Sequence, residues 1–218
     1  MKKMVTGAHR AFAVIGVSIF MIAGALAHDG VEHKSLDEAL RHQEETAANT
    51  PGFPEIKGGD YSLSNQFGEQ RTSVDPDGNF QLVFFGYANC KAICSVALPR
   101  MAAAIDQLSS EGVTVTPVLI TVDPERDTVD NMGEALNHYH EDLVGLTGSE
   151  VELQVAYDAF GVEKSLVYEH PEEGPIYAHG SFIYLLAPNG DFKTLIPPIV
   201  SPDRIAEVTL SYISGKQS

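Results

Sequence analysis

Tryptophan is absent from these 218 residues, cysteine occurs twice, and lysine and arginine together number 14 against 30 acids. Each scarcity excludes something. Two cysteines cannot frame a disulfide-dense scaffold, which leaves one localised thiol pair, Cys90 and Cys94. A net charge of −16 makes the chain a poor partner for nucleic acid, because phosphate contacts need clustered cations. It suits a basic protein partner better. No internal repeat and no low-complexity tract is visible. What is present is a hydrophobic content of 44%, enough for a core and too much for global disorder. The length fits one globular domain plus an appendage.

The N-terminus carries Lys2, Lys3 and Arg10 and no acid, followed from Ala11 to Ala27 by an uncharged apolar run that ends Ala25-Leu26-Ala27. A basic start, an apolar stretch and a small-x-small end predict a secretory signal peptide over residues 1–27. An uncleaved membrane anchor is the alternative, because the run stands at the short edge of a spanning helix. Either way the remainder leaves the cytoplasm, and the short basic start points to the bacterial periplasm or to the periplasmic face of the inner membrane. Cleavage after Ala27 would leave 11 basic residues against 30 acids, a net charge of −19. Residues 28–55 read as a polar tether with His28, His33 and His42 and a capping-box pattern at Ser35. Such spaced histidines form a solvated face more often than a metal site.

From residue 56 to 218 strands and helices alternate. Asn79 to Tyr87 is an apolar run after an Asp-Pro-Asp-Gly turn signal and reads as a buried strand. Cys94 to Leu108 has helix period, with Gly112 beyond its end. Val113 to Val122 reads as a second buried strand. A helix is expected from Thr128, its N-cap, to Tyr139, then a short strand over Leu143 to Leu146, a helix from Val151 to Phe160, and a strand over Val162 to Tyr168. Phe182 to Ala187 and Phe192 to Ile196 flank an Asn-Gly hairpin turn, and a closing helix runs from Pro202 to Ile213. This order predicts an α/β fold, a mixed sheet flanked by helices with a C-terminal β-hairpin and helix.

Cys90 and Cys94 stand four apart at the junction of the first buried strand and its helix. That spacing puts both thiols on one helix face if Cys90 enters the first turn. A helix N-terminus favours thiolate over thiol, Lys91 adds a cation, and two thiolates suit Cu(I). A structural disulfide and two plain buried residues are the ordinary alternatives. A third ligand would come from the histidines. His138 and His140 end the second helix, where an imidazolium suits the helix dipole. His170 sits in an acidic loop. His179 lies just before the strand that starts at Phe182, and on spacing alone it is as readily a merely hydrogen-bonded histidine as a ligand.

The run Phe84-Phe85-Gly86-Tyr87-Ala88-Asn89-Cys90-x3-Cys94, the run Ile120-Thr121-Val122-Asp123-Pro124-Glu125-Arg126-Asp127-Thr128, and His179 before Tyr184-Leu185 resemble the Sco/SenC family over roughly residues 53–214. The resemblance implies a thioredoxin-like fold and copper held by Cys90, Cys94 and His179. It also implies a role in maturing the copper centre of cytochrome c oxidase subunit II, by delivering copper or by keeping thiols reduced. On that basis the chain is a metallochaperone with no catalytic residue. The alternative is a periplasmic thiol–disulfide oxidoreductase with Cys90 and Cys94 as its redox-active disulfide. The family form C-P-D-[VI]-C-P is here Cys90-Lys91-Ala92-Ile93-Cys94-Ser95, and Ala178 stands where an Asp usually precedes the histidine. Lys91 would offset the excess negative charge of Cu(I) with two thiolates.

Other thiol chemistries fit less well. A peroxiredoxin-like site wants Thr or Ser three residues before its cysteine, where Tyr87 and Lys91 stand. A glutathione-peroxidase-like site wants tryptophan. Thioredoxin-like reductases use C-x2-C. Asp123, Arg126 and Asp127 read as an ion-paired turn that starts the second helix, Met101 as core at helix spacing with Cys94, and Tyr87 as a shield for the thiols or simply the strand's end.

Overall fold

Apolar runs too short for a helix must be paired on both sides, and the sheet is assembled from them. The computed structural model describes residues 56, 58–88, 90, 92–172, 174–180 and 182–216, all within one compact unit, Gly52–Ser218. The signal or anchor over residues 1–27 and the tether over 28–55 lie outside the described residues, as does Lys91.

Strands β1 (Ser62–Asn65) and β2 (Gln70–Thr72) lead into β3 (Phe80–Gly86), helix α1 (Cys94–Ser110), β4 (Val115–Thr121), α2 (Met132–Asn137), β5 (Val144–Thr147) and α3 (Glu150–Phe160). Then come β6 (Ser165–His170), β7 (Gly174–Ala178), β8 (Ile183–Leu186), β9 (Phe192–Ile196) and α4 (Pro202–Ile213). Seven strands form one sheet in the order β2-β1-β5-β4-β3-β8-β9, and β6 and β7 form a separate two-stranded sheet. β3, β4 and β5 run parallel, while β8, β9, β1 and β2 are antiparallel additions. This bears out the thioredoxin-like mixed sheet with a C-terminal hairpin and helix.

β3 and β4 carry the core because both faces of each are covered. Every residue of β3 after Phe80 is buried. Adjacent strand residues point to opposite faces. Phe85 packs with Tyr157, Phe160 and Tyr184 at centroid distances of 6.1, 5.6 and 5.5 Å, while Phe84 faces the cysteine end of the molecule. α1 packs on α4 and β4. The turn into β3 is closed by Asp75, whose Oδ1 accepts from the backbone N–H of Asp77 and of Asn79, both at 3.0 Å. α3 starts with a full capping box, Ser149 with Glu152, and stops at Gly161.

Two expected elements are corrected, and three strands come as additions. The helix expected from Thr128 shrinks to Met132–Asn137, and Thr128 is not its cap: its N–H donates to Asn131 Oδ1 at 2.9 Å. Thr, Val, Asp and Asn over residues 128–131, and Gly133 beyond them, are weak helix formers, and the hydrogen bonds there close turns instead. The strand expected over residues 162–168 starts three residues later and leaves the main sheet altogether to pair with β7. β1, β2 and β7 escape a reading by apolar period, because they are short and largely polar or only half-buried.

Candidate metal centre

Where β3 ends, the chain must turn from strand to helix within a few residues, and both cysteines fall in that turn. Cys90 lies outside the helix, its N–H bonded to the Tyr87 carbonyl at 3.1 Å. Cys94 is the first residue of α1. A loop, not a shared helix face, therefore brings the thiols together, and the condition that Cys90 enter the first turn is not met. Gly86 makes room: a Cβ there would stand 2.9 Å from Cys94 Sγ and 3.0 Å from the Phe84 ring. Only glycine lets the strand pass so close to the sulfur.

Asp127 pins the loop from behind. Its buried Oδ2 accepts from the Ala88 N–H at 2.9 Å and from Thr121 Oγ1 at 2.7 Å, and its carbonyl accepts from Thr147 Oγ1 at 2.7 Å. Burial raises its pKa above the ordinary carboxylate range. The DPERDT run is thus a turn with two tasks. Asp123 pairs with Arg126, as expected. Asp127 instead ties the end of β4 to the thiol loop.

Both thiols are buried and reduced. They share a hydrogen bond, and it divides their acidities. Cys90 is pulled down to about 4, chiefly by the hydrogen bond from Cys94, helped by its contact with His179 and by the backbone N–H groups of Cys94 and Ala92, against the cost of burial. Cys94 is pushed up, by its hydrogen bond to Cys90, by burial and by the Cys90 charge. The anion therefore rests on Cys90, where N–H groups at the start of α1 point at it.

His179 enters from β7, one residue beyond the strand's end. Its Nδ1 lies 2.9 Å from the Gly180 carbonyl. A carbonyl only accepts, so Nδ1 carries the proton and Nε2 is the nitrogen left for the thiols. The ring packs edge-on against Phe84 and Tyr87 at 6.2 and 6.1 Å. One ligand atom each from Cys90, Cys94 and His179 lie within 4.8 Å of one another. Among the described residues this is the one group of three or more metal-ligating side chains so placed.

The remaining histidines in the described residues sit elsewhere. His138 packs on Tyr139. His140 lies 3.3 Å from Asp106. His170 Nδ1 accepts from the Glu172 N–H at 3.2 Å. His28, His33 and His42 lie outside the described residues. Met101 is buried in the core. Tyr87 is the functional neighbour that the sequence left ambiguous. It is buried, its phenol hydrogen-bonds to Cys90 and to the Tyr177 backbone, and burial and the Cys90 charge push its pKa up to about 12. It donates a hydrogen bond to the thiolate and stands one residue beyond the strand's end.

The chain is similar to known proteins over most of its length. The family model SCO1/SenC matches residues 49–214. An SCO2-like protein of Rickettsia felis is 36% identical over 152 residues, which are 69% of this chain and 74% of that one. The mitochondrial SCO1 homologue of Homo sapiens is 32% identical over 175 residues, 79% of this chain and 57% of that one. Among solved structures, Arabidopsis thaliana ScoI with copper bound superposes with a TM-score of 0.67 at 31% identity, covering 72% of this chain and 98% of that one. Bradyrhizobium japonicum ScoI with copper bound does so at 0.64 and 26%, covering 72% and 99%. With its two thiols and one imidazole converging where β3, α1 and β7 meet, and with the family pattern spanning most of its length, this chain belongs to the SCO1/SenC family.

Proposed function

We propose that this protein is an exported copper chaperone in which Cys90, Cys94 and His179 hold the metal. The observation that carries the reading is the convergence of three donor atoms within 4.8 Å. Two thiolates and a neutral imidazole are the soft and borderline donors Cu(I) favours, and three donors leave a position through which an acceptor's ligands can enter. Thiolate formation at Cys90 is already favoured, so of the two thiols the metal has to displace a proton only from Cys94.

Residues 1–27 act as the signal or anchor, residues 28–55 as the tether, and the domain works in the periplasm or on the periplasmic face of the inner membrane. The acceptor is cytochrome c oxidase subunit II or another copper protein. A chain with 30 acids against 14 bases steers a basic face toward itself, an attraction that salt weakens.

The test is an anaerobic Cu(I) titration of the reduced full-length chain against a competing chelator. One-to-one binding that weakens in His179→Ala and collapses in Cys90→Ser supports the reading. Weak binding that neither substitution alters overturns it. A second reading, thiol–disulfide exchange at Cys90 and Cys94, is favoured by the acidity split between the thiols, since a low-pKa thiol beside a protonated one is the arrangement exchange chemistry uses. It predicts reduction of an acceptor disulfide that His179→Ala leaves unchanged.

A further inference from the structure

His179 is delivered to the thiols by an element with little else to hold it. Among the described strands, β6 and β7 pair only with each other, and β6 exposes Leu166, Val167 and Tyr168. A two-stranded hairpin is marginal in water on its own. The position of the imidazole therefore depends on side-chain contacts along β7.

Two residues make those contacts from the sheet side. The Tyr87 ring meets Tyr177 of β7 edge-on at 6.1 Å and His179 at 6.1 Å, and its phenol bridges the Tyr177 backbone and Cys90. The Arg126 guanidinium lies over the same ring, 5.3 Å from its centroid. Its Nη2 donates to the Pro175 carbonyl of β7 at 2.6 Å, and its Nε is paired with Asp123. Asp123 is buried, and its Oδ1 has no hydrogen-bond partner among the described residues, so the carboxylate leans on Arg126 for its compensation. Beside them Gly174 takes a φ of +75°, and a Cβ there would stand 3.0 Å from Arg126 Nη1, so the hairpin backbone is closed down onto the guanidinium. Lys164 adds an outer contact, over the Tyr177 ring at 4.7 Å and 3.4 Å from the exposed Glu150, where screening leaves it little worth.

We infer that Tyr87 and Arg126 are a positioning pair that seats β7 on the end of β3, Tyr87 near the hairpin's base at Tyr177 and Arg126 near its turn at Gly174 and Pro175, and so sets His179 at the Cys90–Cys94 thiols. A planar fork serves a carboxylate, a carbonyl and an aromatic face at once, which an ammonium cannot do. The ring it stacks on touches the histidine directly and the nearer thiol through its hydroxyl. Neither residue is a ligand. The effect of Arg126 on the metal runs through His179, whereas Tyr87 also reaches Cys90 through its hydroxyl. The inference rests on the copper reading for its consequence, but the seating of the hairpin is a property of the metal-free protein.

The experiment is a double-mutant cycle on Cu(I) affinity, measured anaerobically on the full-length chain against a chelator. Arg126→Gln lowers the affinity about tenfold, the lower end for a residue that orients a ligand. In a His179→Ala background the same change has no further effect, because the hairpin then carries no donor. Arg126→Lys, which keeps the cation over Tyr87 and loses the fork, recovers part of the loss. Equal losses in both backgrounds mark a merely structural arginine and overturn the inference, as does full affinity in Arg126→Gln. Arg126→Lys carries the same test if Arg126→Gln does not fold, its smaller loss again confined to the background that keeps His179. A metal-free readout separates this inference from the copper reading. Amide exchange in β6 and β7 speeds up about tenfold in Arg126→Gln while that of β3 is unchanged. Unchanged hairpin protection overturns the positioning pair even where copper binds, and faster exchange supports it even where copper does not.

Discussion

The two thiols and the imidazole come from regions built on opposite principles. β3, which leads to Cys90, is buried at every residue after its first, and the thiol loop is pinned by Asp127 and by the packing of Gly86 on Cys94. β6, paired to the strand that leads to His179, is exposed at every residue but its last. Buried apolar strands open only with the whole domain, whereas a hairpin with few buried contacts opens locally at lower cost. The difference teaches that a metal bound here has two fixed donors and one on an arm. On the proposed copper reading, an acceptor would take the metal at lower cost by first displacing the arm than by breaking the thiol pair.

That contrast breaks or sharpens under graded perturbation. The largest effect is expected at the fixed end. Cys90→Ser or Cys94→Ser should reduce Cu(I) affinity by more than the ~100-fold that changes around a ligand produce, and His179→Ala should cost less than either; chelator competition on the three variants checks the order. If His179→Ala costs the most, the contrast is reversed. Next come the two scaffolds. Phe85→Ala, which empties a fully buried site among Tyr157, Phe160 and Tyr184, should destabilise the domain by about 3–5 kcal/mol. Val167→Ala, on a residue 64% exposed, should fall within about 0.5 kcal/mol. Urea melts of the two compare them directly.

Gly86→Ala tests the close pass between strand and sulfur. A methyl 2.9 Å from Cys94 Sγ should cost about 1–3 kcal/mol by overpacking, and should lower copper affinity as well, because it pushes Cys94 away from Cys90. Stability lost with affinity intact would show that the thiols relax independently of β3.

A separate effect is expected on pH dependence. Cys90 is depressed from an ordinary value near 9 to about 4. Between those values the unfolded chain binds a proton that the folded one does not, so this group's contribution to stability is present in full above about pH 9 and is lost as pH falls toward 4. Cys94 is shifted the other way, so its contribution is present below pH 9 and is lost as pH rises above it. Reduced wild type should therefore gain stability relative to Cys90→Ser from pH 6 to pH 8. Alkylation with iodoacetamide should report one thiolate well below the ordinary thiol range and one thiol resistant above it. A stability difference that narrows as pH rises would contradict the placement of the anion on Cys90.

How legible these regions were in the sequence follows the same divide. The buried runs from Phe80 and Val115, the closing helix Pro202–Ile213 and the Asn-Gly turn announce themselves, because burial on both faces and strong turn residues leave a local mark. The hairpin does not. β7 is Gly-Pro-Ile-Tyr-Ala, half-buried against side chains from distant parts of the chain, and no local period encodes that. His179 as a ligand was reached through family resemblance and not through spacing, since a histidine before a strand looks the same whether or not a cysteine waits above it. Arg126 read as one half of a local ion pair, which it is. Its contacts with Tyr87 and Pro175 belong to tertiary structure and leave no trace in the DPERDT run. Thr128 misled because a good capping residue also closes turns, and the weak helix formers after it decided for the turn.

The measurement that tests the central claim most directly is X-ray absorption at the copper edge of the reduced, Cu(I)-loaded full-length chain, with His179→Ala alongside. The account predicts two sulfur neighbours and one imidazole nitrogen in wild type, and two sulfurs without the imidazole in the variant. An imidazole signal that persists in His179→Ala, or a wild-type copper with fewer than two sulfurs, would contradict it.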